Sequence, residues 1–261
     1  MMNMKTTAAT FVCALTLAAP AFAGPPLATD DAGTVEVGKY EVELNGAYGR
    51  NKDNGVKTIT SESEFVVTTG ITKNIGISIA VPYQNFERTS GGDEATRTQG
   101  FGDASFELKY RFAEIAGFDF AVKPGITLPT GANALTDDRF QYNATLIASK
   151  EFADGAYALH ANLGYERHSY KDQETKDLNR GNLFSASIGT EAKLAKGLYG
   201  VLDLGVATSP EKADEDKKQS FALTGLRYDI TDMVSVNAGV QFGLNKTNTD
   251  MIVSYGVVLA F

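Results

Sequence analysis

The sequence predicts an all-β protein, a transmembrane antiparallel up-and-down β-barrel of about 12 strands behind a cleaved signal peptide. Three observations predict it. An export signal opens the chain. Apolar and polar residues then alternate along nearly all of the remainder. The connections between alternating runs are short and long in strict turn.

The signal comes first. Lys5 gives a short positive region, an apolar run from Ala8 to Ala19 follows, and Ala21-Phe22-Ala23 makes a small-residue cleavage site. This is a secretory signal peptide over residues 1–23. The run is shorter than the ~20 residues a spanning helix needs, which argues against an anchor. Cys13 falls inside it, so the mature chain has no cysteine, and disulfides, thiol catalysis and cysteine metal sites are excluded. The formal charge of −8 becomes −9 once Lys5 is removed, and phosphate binding needs clustered cations, so no nucleic-acid partner is expected. No later stretch approaches a transmembrane helix, which leaves a barrel as the way to cross a membrane.

Gly24–Gly38 carries two prolines and the adjacent Asp30 and Asp31, without periodicity. It reads as an irregular arm, either a periplasmic tail or a plug folded into the lumen. Paired acids also suit oxygen-liking cations, but no metal site is assigned. From residue 39 to 261 alternation hardly stops.

The first strand presents Tyr40, Val42, Leu44 and Tyr48 on one face and Glu41, Glu43 and Asn45 on the other. A polar loop, Asn51–Gly55, leads to the second, with Phe65, Val67 and Ile71 against Glu62, Glu64 and Thr68. After the turn Thr72-Lys73-Asn74, the third sets Ile75, Ile77, Ile79, Val81 and Tyr83 against Gly76, Ser78, Ala80 and Gln84. A long charged loop, Glu87–Gly100, precedes the fourth, where Phe106, Leu108, Tyr110 and Phe112 oppose Glu107, Lys109 and Arg111. The fifth carries Phe118, Phe120, Val122, Ile126 and Leu128 against Asp119, Lys123 and Thr127. Pro124 lies within it and cannot donate to a ladder, so a bulge or local gap is expected there.

The sixth strand sets Phe140, Tyr142, Ala144 and Leu146 against Gln141, Asn143, Thr145 and Ser149. The seventh sets Tyr157, Leu159, Ala161, Leu163 and Tyr165 against His160, Asn162 and Glu166. After a loop from His168 to Asn182, the eighth pairs Phe184, Ala186, Ile188 and Leu194 with Ser185, Ser187, Gly189, Glu191 and Lys193. The ninth has Leu198, Leu202, Leu204 and Val206 against Tyr199, Asp203 and Gly205. The tenth is the least clean: Ala222, Leu226, Tyr228 and Ile230 oppose Phe221, Leu223, Gly225, Arg227 and Asp229. The eleventh runs Val234 to Leu244 opposite Ser235, Asn237, Gly239 and Gln241. The last, Met251–Phe261, has a bulky face that includes Tyr255 and ends on Phe261. It resembles the closing strand of bacterial outer-membrane proteins, which implies that Tyr255 and Phe261 belong to a signal read by the outer-membrane assembly machinery.

Five connections are turns of about three to five residues and six are loops, mostly about nine to fifteen. Short periplasmic turns and long outer loops are the pattern of outer-membrane barrels. A closed barrel is required because lipid cannot satisfy a free strand edge. Tyr48, Tyr83, Phe112, Phe152, Tyr157, Tyr165 and Phe261 stand at strand ends, where aromatic girdles lie. The competing fold is a secreted β-sandwich, whose strands also alternate but whose apolar faces must meet in a core.

Three segments carry a family likeness: Pro26-Leu27-Ala28-Thr29-Asp30-Asp31-Ala32-Gly33-Thr34, then Gly100-Phe101-Gly102-Asp103 continuing through Leu108–Phe112, then Pro124–Gly131. With them the chain resembles the outer-membrane β-barrel family named for transport in the meta-pathway of phenol degradation. That resemblance implies a bacterial outer-membrane barrel with a transport role, the family's substrates being loosely defined.

The inward charges have both signs, and they either line a channel or pair across a filled lumen. The function expected is passive passage of small molecules, hydrophobic or aromatic ones included. The alternatives are a structural or adhesive barrel acting through its outer loops and, less favoured, a barrel hydrolase with His160 served by Ser185 or Ser187. No nucleophile motif surrounds either serine, so no catalytic residue and no cofactor are assigned. The expected partners are the lipid bilayer, lipopolysaccharide (met through the charged loop Glu211–Lys218) and an unidentified small solute.

Overall fold

The computed structural model describes residues 26–53, 55–90, 95–213 and 218–261. The expected signal peptide lies outside them. Among the described residues the sheet begins with β1 (Tyr40–Asp53), β2 (Val56–Thr72), β3 (Ile75–Ser90), β4 (Thr96–Phe101) and β5 (Ser105–Ile115). It continues with β6 (Phe118–Thr127), β7 (Gln141–Phe152), β8 (Tyr157–Arg167) and, after helix α1 (Gln173–Leu178), β9 (Asn182–Ala195). β10 (Leu198–Thr208), β11 (Lys218–Thr231), β12 (Val234–Gly243) and β13 (Met251–Ala260) complete it.

Every pairing of strands is antiparallel. β4 and β5 both pair with β3, through Tyr83–Arg88 and Ile75–Ala80 respectively, so they are one wall strand interrupted at Gly102–Ala104. The wall is therefore a closed ring of twelve strands, as the alternation predicts. β1 pairs with β13 on one side and β2 on the other, and the β2–β3 pairing completes the circle. Tyr40 and Phe261 clasp the seam, each donating its N–H to the other's carbonyl at 2.8 and 3.0 Å, with their rings stacked 6.5 Å apart.

The distribution of side chains is inverted relative to a water-soluble fold. Leu44, Phe65, Ile79, Leu146, Leu163, Ile188 and Leu204 are exposed on the outer surface, while Glu43, Glu64, Lys123, His160 and Asp203 are buried inside. An apolar belt around a polar interior is what a bilayer selects and what a sandwich cannot offer. The outward residues of the last strand keep the expected face, with Tyr255 and Phe261 exposed and Ile252 turned inward.

Two local features depart from the sequence reading, and at a third the structure takes one of the two forms expected. Residues 51–53 and, within Glu87–Gly100, residues 87–90 and 96–100 are strand rather than loop, since β1 runs to Asp53, β3 to Ser90 and β4 from Thr96. At ~3.3 Å per residue, the 17-residue β2 spans about 56 Å, far beyond the hydrocarbon thickness. Loss of alternation there marks the edge of the lipid, while β-branched Val56, Thr58, Ile59 and Thr60 keep the backbone paired. The loop between β8 and β9 contains α1, whose last turn is gripped by Lys212 through the carbonyls of Lys176 and Asp177. At Pro124 the structure has the gap rather than the bulge. Leu108 and Lys109 have no ladder partners on β6, and the register shifts only later, between Arg111 and Ala113.

Candidate functional site: the lumen and the arm that crosses it

Residues 26–38 lie inside the ring. Glu36–Lys39 turns the chain into β1, with Lys39 N–H on the Glu36 carbonyl at 3.0 Å and Gly38 at φ +76°, a conformation that favours glycine. From there the arm runs back along the inner wall past β2 and β3, then β5 to β8, and ends against β9 to β12.

Its seat is built from small inward residues. A Cβ on Gly239 would come within 2.9 Å of Pro26 Cβ, one on Gly225 within 2.7 Å of Pro26 Cγ, and one on Gly189 within 3.1 Å of Thr29 Cβ. Gly70 is overlain by the backbone of Val35 and Glu36. Leu27 is fully buried with Val201 and Leu223, and Phe221 packs against them. Ala32 is buried with Ala121 and Ile147. The first of these clusters explains why the tenth predicted strand is irregular. Phe221 and Leu223 face inward because the arm, rather than water, covers them.

Polar contacts fix the arm between these clusters. Asp203 Oδ2 accepts the N–H groups of Ala28 and Thr29 at 2.8 and 2.7 Å. The Thr29 hydroxyl bridges Asp203 Oδ1 at 2.7 Å and Ser187 Oγ at 2.8 Å. Asp30 is completely buried and meets Lys109 Nζ at 2.8 Å and Lys123 Nζ at 2.7 Å. Lys109 also donates to the Asp31 carbonyl at 2.9 Å. The Asn162 amide, with its nitrogen turned to the Asp30 carbonyl, brackets that residue's backbone at 2.9 and 2.6 Å. Ser149 Oγ accepts the Ala32 N–H at 2.9 Å and lies 2.9 Å from His160 Nδ1.

The inward charges named from the sequence thus divide. Lys109, Lys123, Asp203 and His160 gather around the arm. Glu107 pairs with Lys123 at 3.1 Å, Arg111 with Asp119 at 3.6 Å, and Arg227 with Glu191 at 3.0 Å and Asp229 at 3.4 Å. Glu62 accepts from Gln84 at 2.7 Å, and Glu166 meets His168 at 2.9 Å in the outer half. Lys193, Glu41, Glu43 and Glu64 border a cavity of about 990 Å³ that reaches the turn side at Gly117 and Asp154–Ala156. Asp31 lines it as well, while Asp30 is engaged by the lysines. The serine near His160 is Ser149 on β7, its cross-strand partner, and not Ser185 or Ser187. A hydroxyl that already receives a backbone N–H and shares a hydrogen bond with imidazole beneath the arm is arranged to hold that arm.

Sequence reasoning missed the wall break. At Gly102–Ala104, Pro82 on β3 offers no N–H, and its carbonyl accepts from Gly102 at 2.9 Å. The segment after β6 fills the interruption: Asp103 Oδ1 accepts from Thr130 and Gly131 at 3.0 and 2.8 Å, and Ala104 N–H donates to Thr130 Oγ1 at 2.9 Å. A Cβ on Gly131 would lie 2.5 Å from the Gly102 carbonyl carbon. The signal was present as two glycine-bearing motifs, whose mutual contact no spacing could show.

The profile of the family described as "Putative MetA-pathway of phenol degradation" matches residues 67–261. No curated protein matches the sequence. Among solved structures, an outer membrane channel from Pseudomonas putida F1 superposes with a TM-score of 0.72 at 13% identity, over 88% of this chain and 98% of that one. The NanC porin gives 0.57 at 12% identity, over 84% and 98% of the two chains. The KdgM porin gives 0.52 at 11%, over 85% and 99%. At such identities the likeness is one of fold.

Proposed function

The chain belongs to the family described as "Putative MetA-pathway of phenol degradation", and from that premise we propose that it is a passive channel of the bacterial outer membrane for small solutes, small aromatic molecules included. One observation carries the reading: a closed transmembrane ring encloses a polar, charged cavity of about 990 Å³ that is open at the turn side. Its lining holds carboxylates, ammonium and guanidinium groups and hydroxyls, with Tyr199 and His160 as its ring side chains. That favours water-soluble solutes over a dry conduit for hydrocarbons. The arm narrows the bore from within. The barrel is read as non-catalytic, because its serine–histidine pair is spent on seating Ala32.

Purified mature protein in planar bilayers should give discrete conductance steps, and proteoliposomes should swell with small solutes such as phenol-sized alcohols. A bilayer that stays silent and vesicles that admit no solute would sink the proposal. A second reading, a structural barrel acting through its outer surface, is favoured by the occupied lumen and by the paired strands that project beyond the membrane. It predicts that trimming the β1–β2 and β3–β4 hairpins abolishes the cellular phenotype while lumen substitutions do not.

A further inference from the structure

Four of the six cations that line the cavity are ion-paired among the described residues, and many of its acids are not. Its lining carries eleven carboxylates against six basic side chains. Lys109 and Lys123 are held by Asp30, Arg111 by Asp119, and Arg227 by Glu191 and Asp229. The inner face of β1 and β2 has no such ion pairs. Glu41, Glu43 and Glu64 stand there as near neighbours on the inner face, Glu64 beside Asn45 and Glu43 beside Val66. None of the three has an ion-pair partner among the described residues. Glu43 accepts one hydrogen bond, from Asn45 at 3.0 Å. Glu64 is only 8% exposed, borders the cavity, and has neither a hydrogen bond nor an ion pair among the described residues.

A buried carboxylate without a partner is costly until a proton or a passing cation neutralises it. No group of three or more His, Cys, Asp or Glu among the described residues is arranged to hold a metal ion, so the visitor is a passing charge rather than a fixed one. We infer that the passage selects for positive charge, with Glu41, Glu43 and Glu64 as its specificity-determining residues. Its preferred solutes are small inorganic cations and protonated amines, ahead of anions of the same size. The physical basis is field focusing. Fixed charges of one sign on a low-dielectric wall concentrate counter-ions in the bore and exclude co-ions. The arm contributes by neutralising Lys109 and Lys123 on β5 and β6, so that the unpaired carboxylates of β1 and β2 set the sign.

This inference rests on the channel reading, and the experiment separates the two. The mature protein is inserted into planar bilayers under a potassium chloride gradient, and the reversal potential is measured. Wild type should pass potassium severalfold more readily than chloride. The variant E41Q/E43Q/E64Q should still open discrete channels, with a smaller potassium conductance, while that ratio drops by about fourfold or more, since one unit charge ~10 Å away in a largely aqueous bore enriches potassium and depletes chloride by about twofold each. A conducting wild type with no cation preference, or with an anion preference, overturns the selectivity alone. So does a triple variant with an unchanged ratio. A protein that folds and never conducts overturns the channel reading and this inference together. If the triple variant does not insert, Glu64→Gln alone replaces it, with a smaller shift of the same sign expected, and an unchanged ratio overturns the proposal.

Discussion

At Asp30 a single carboxylate faces two ammonium groups where water does not reach, so its charge matters more than its size. Removing one member of a buried ion pair typically costs ~3–5 kcal/mol. Here the loss is moderated, because Lys123 retains Glu107 and Lys109 retains the Asp31 carbonyl. Asp30→Asn keeps the shape and deletes the charge. It should loosen the middle of the arm and raise single-channel conductance, while the folded barrel still resists sodium dodecyl sulfate in unheated gels. Equal conductance in variant and wild type would mean that the charge does not hold the arm. Asp203 is the second anchor, and it acts differently. It takes two backbone N–H groups and a hydroxyl, so Asp203→Asn exchanges one acceptor for a donor facing donors. A comparable gain in conductance is expected from it, measured in the same bilayers.

At the scale of elements, the arm and the wall break show why three short motifs belong together. The first motif is the arm itself. The second and third meet at the interruption between β4 and β5, where Asp103 caps Thr130 and Gly131. Asp103→Ala leaves those two N–H groups unpaired, at a cost of ~1–3 kcal/mol. It should expose the segment after β6 to added protease on intact cells, and cleavage identical to wild type would refute this. Gly239→Val should unseat the arm from its tip, because the new side chain occupies the place of Pro26. Legibility follows from the same physics. The strands were readable because lipid on one side and polar groups on the other enforce a period of two. Strand ends were not, because Thr58 and Thr60 continue to pair after the lipid stops. The charged lumen residues could be named but not partnered. Phe221 and Leu223 looked like noise in the pattern until Leu27 supplied the surface they bury. The glycines at 189, 225 and 239 passed as filler on an inner face, although their missing side chains are what the arm occupies.

For the whole molecule, the ring and its contents are separable. Every wall strand is paired on both sides by other wall strands, and the seam is held by Tyr40 and Phe261 without help from the lumen. The arm contributes two small apolar clusters and its ion pairs, none of which links one wall strand's backbone to the next. Deleting residues 26–35 should therefore leave a barrel that assembles. The energetic argument goes further. A point change at Asp30 leaves Lys123 with Glu107 alone beneath an arm that is loosened but still present, whereas removal of the arm floods the lumen and hydrates Lys123, Asp203 and His160 alike. Desolvation is the main cost of a buried charge, and water removes it. The deletion should accordingly raise conductance well above that of Asp30→Asn, while lowering the temperature at which the folded gel band is lost by no more than the point variant does. Conductance equal to wild type would show that the arm does not obstruct the bore. A deletion that fails to fold, with Asp30→Asn folding normally, would show that the ring depends on its contents.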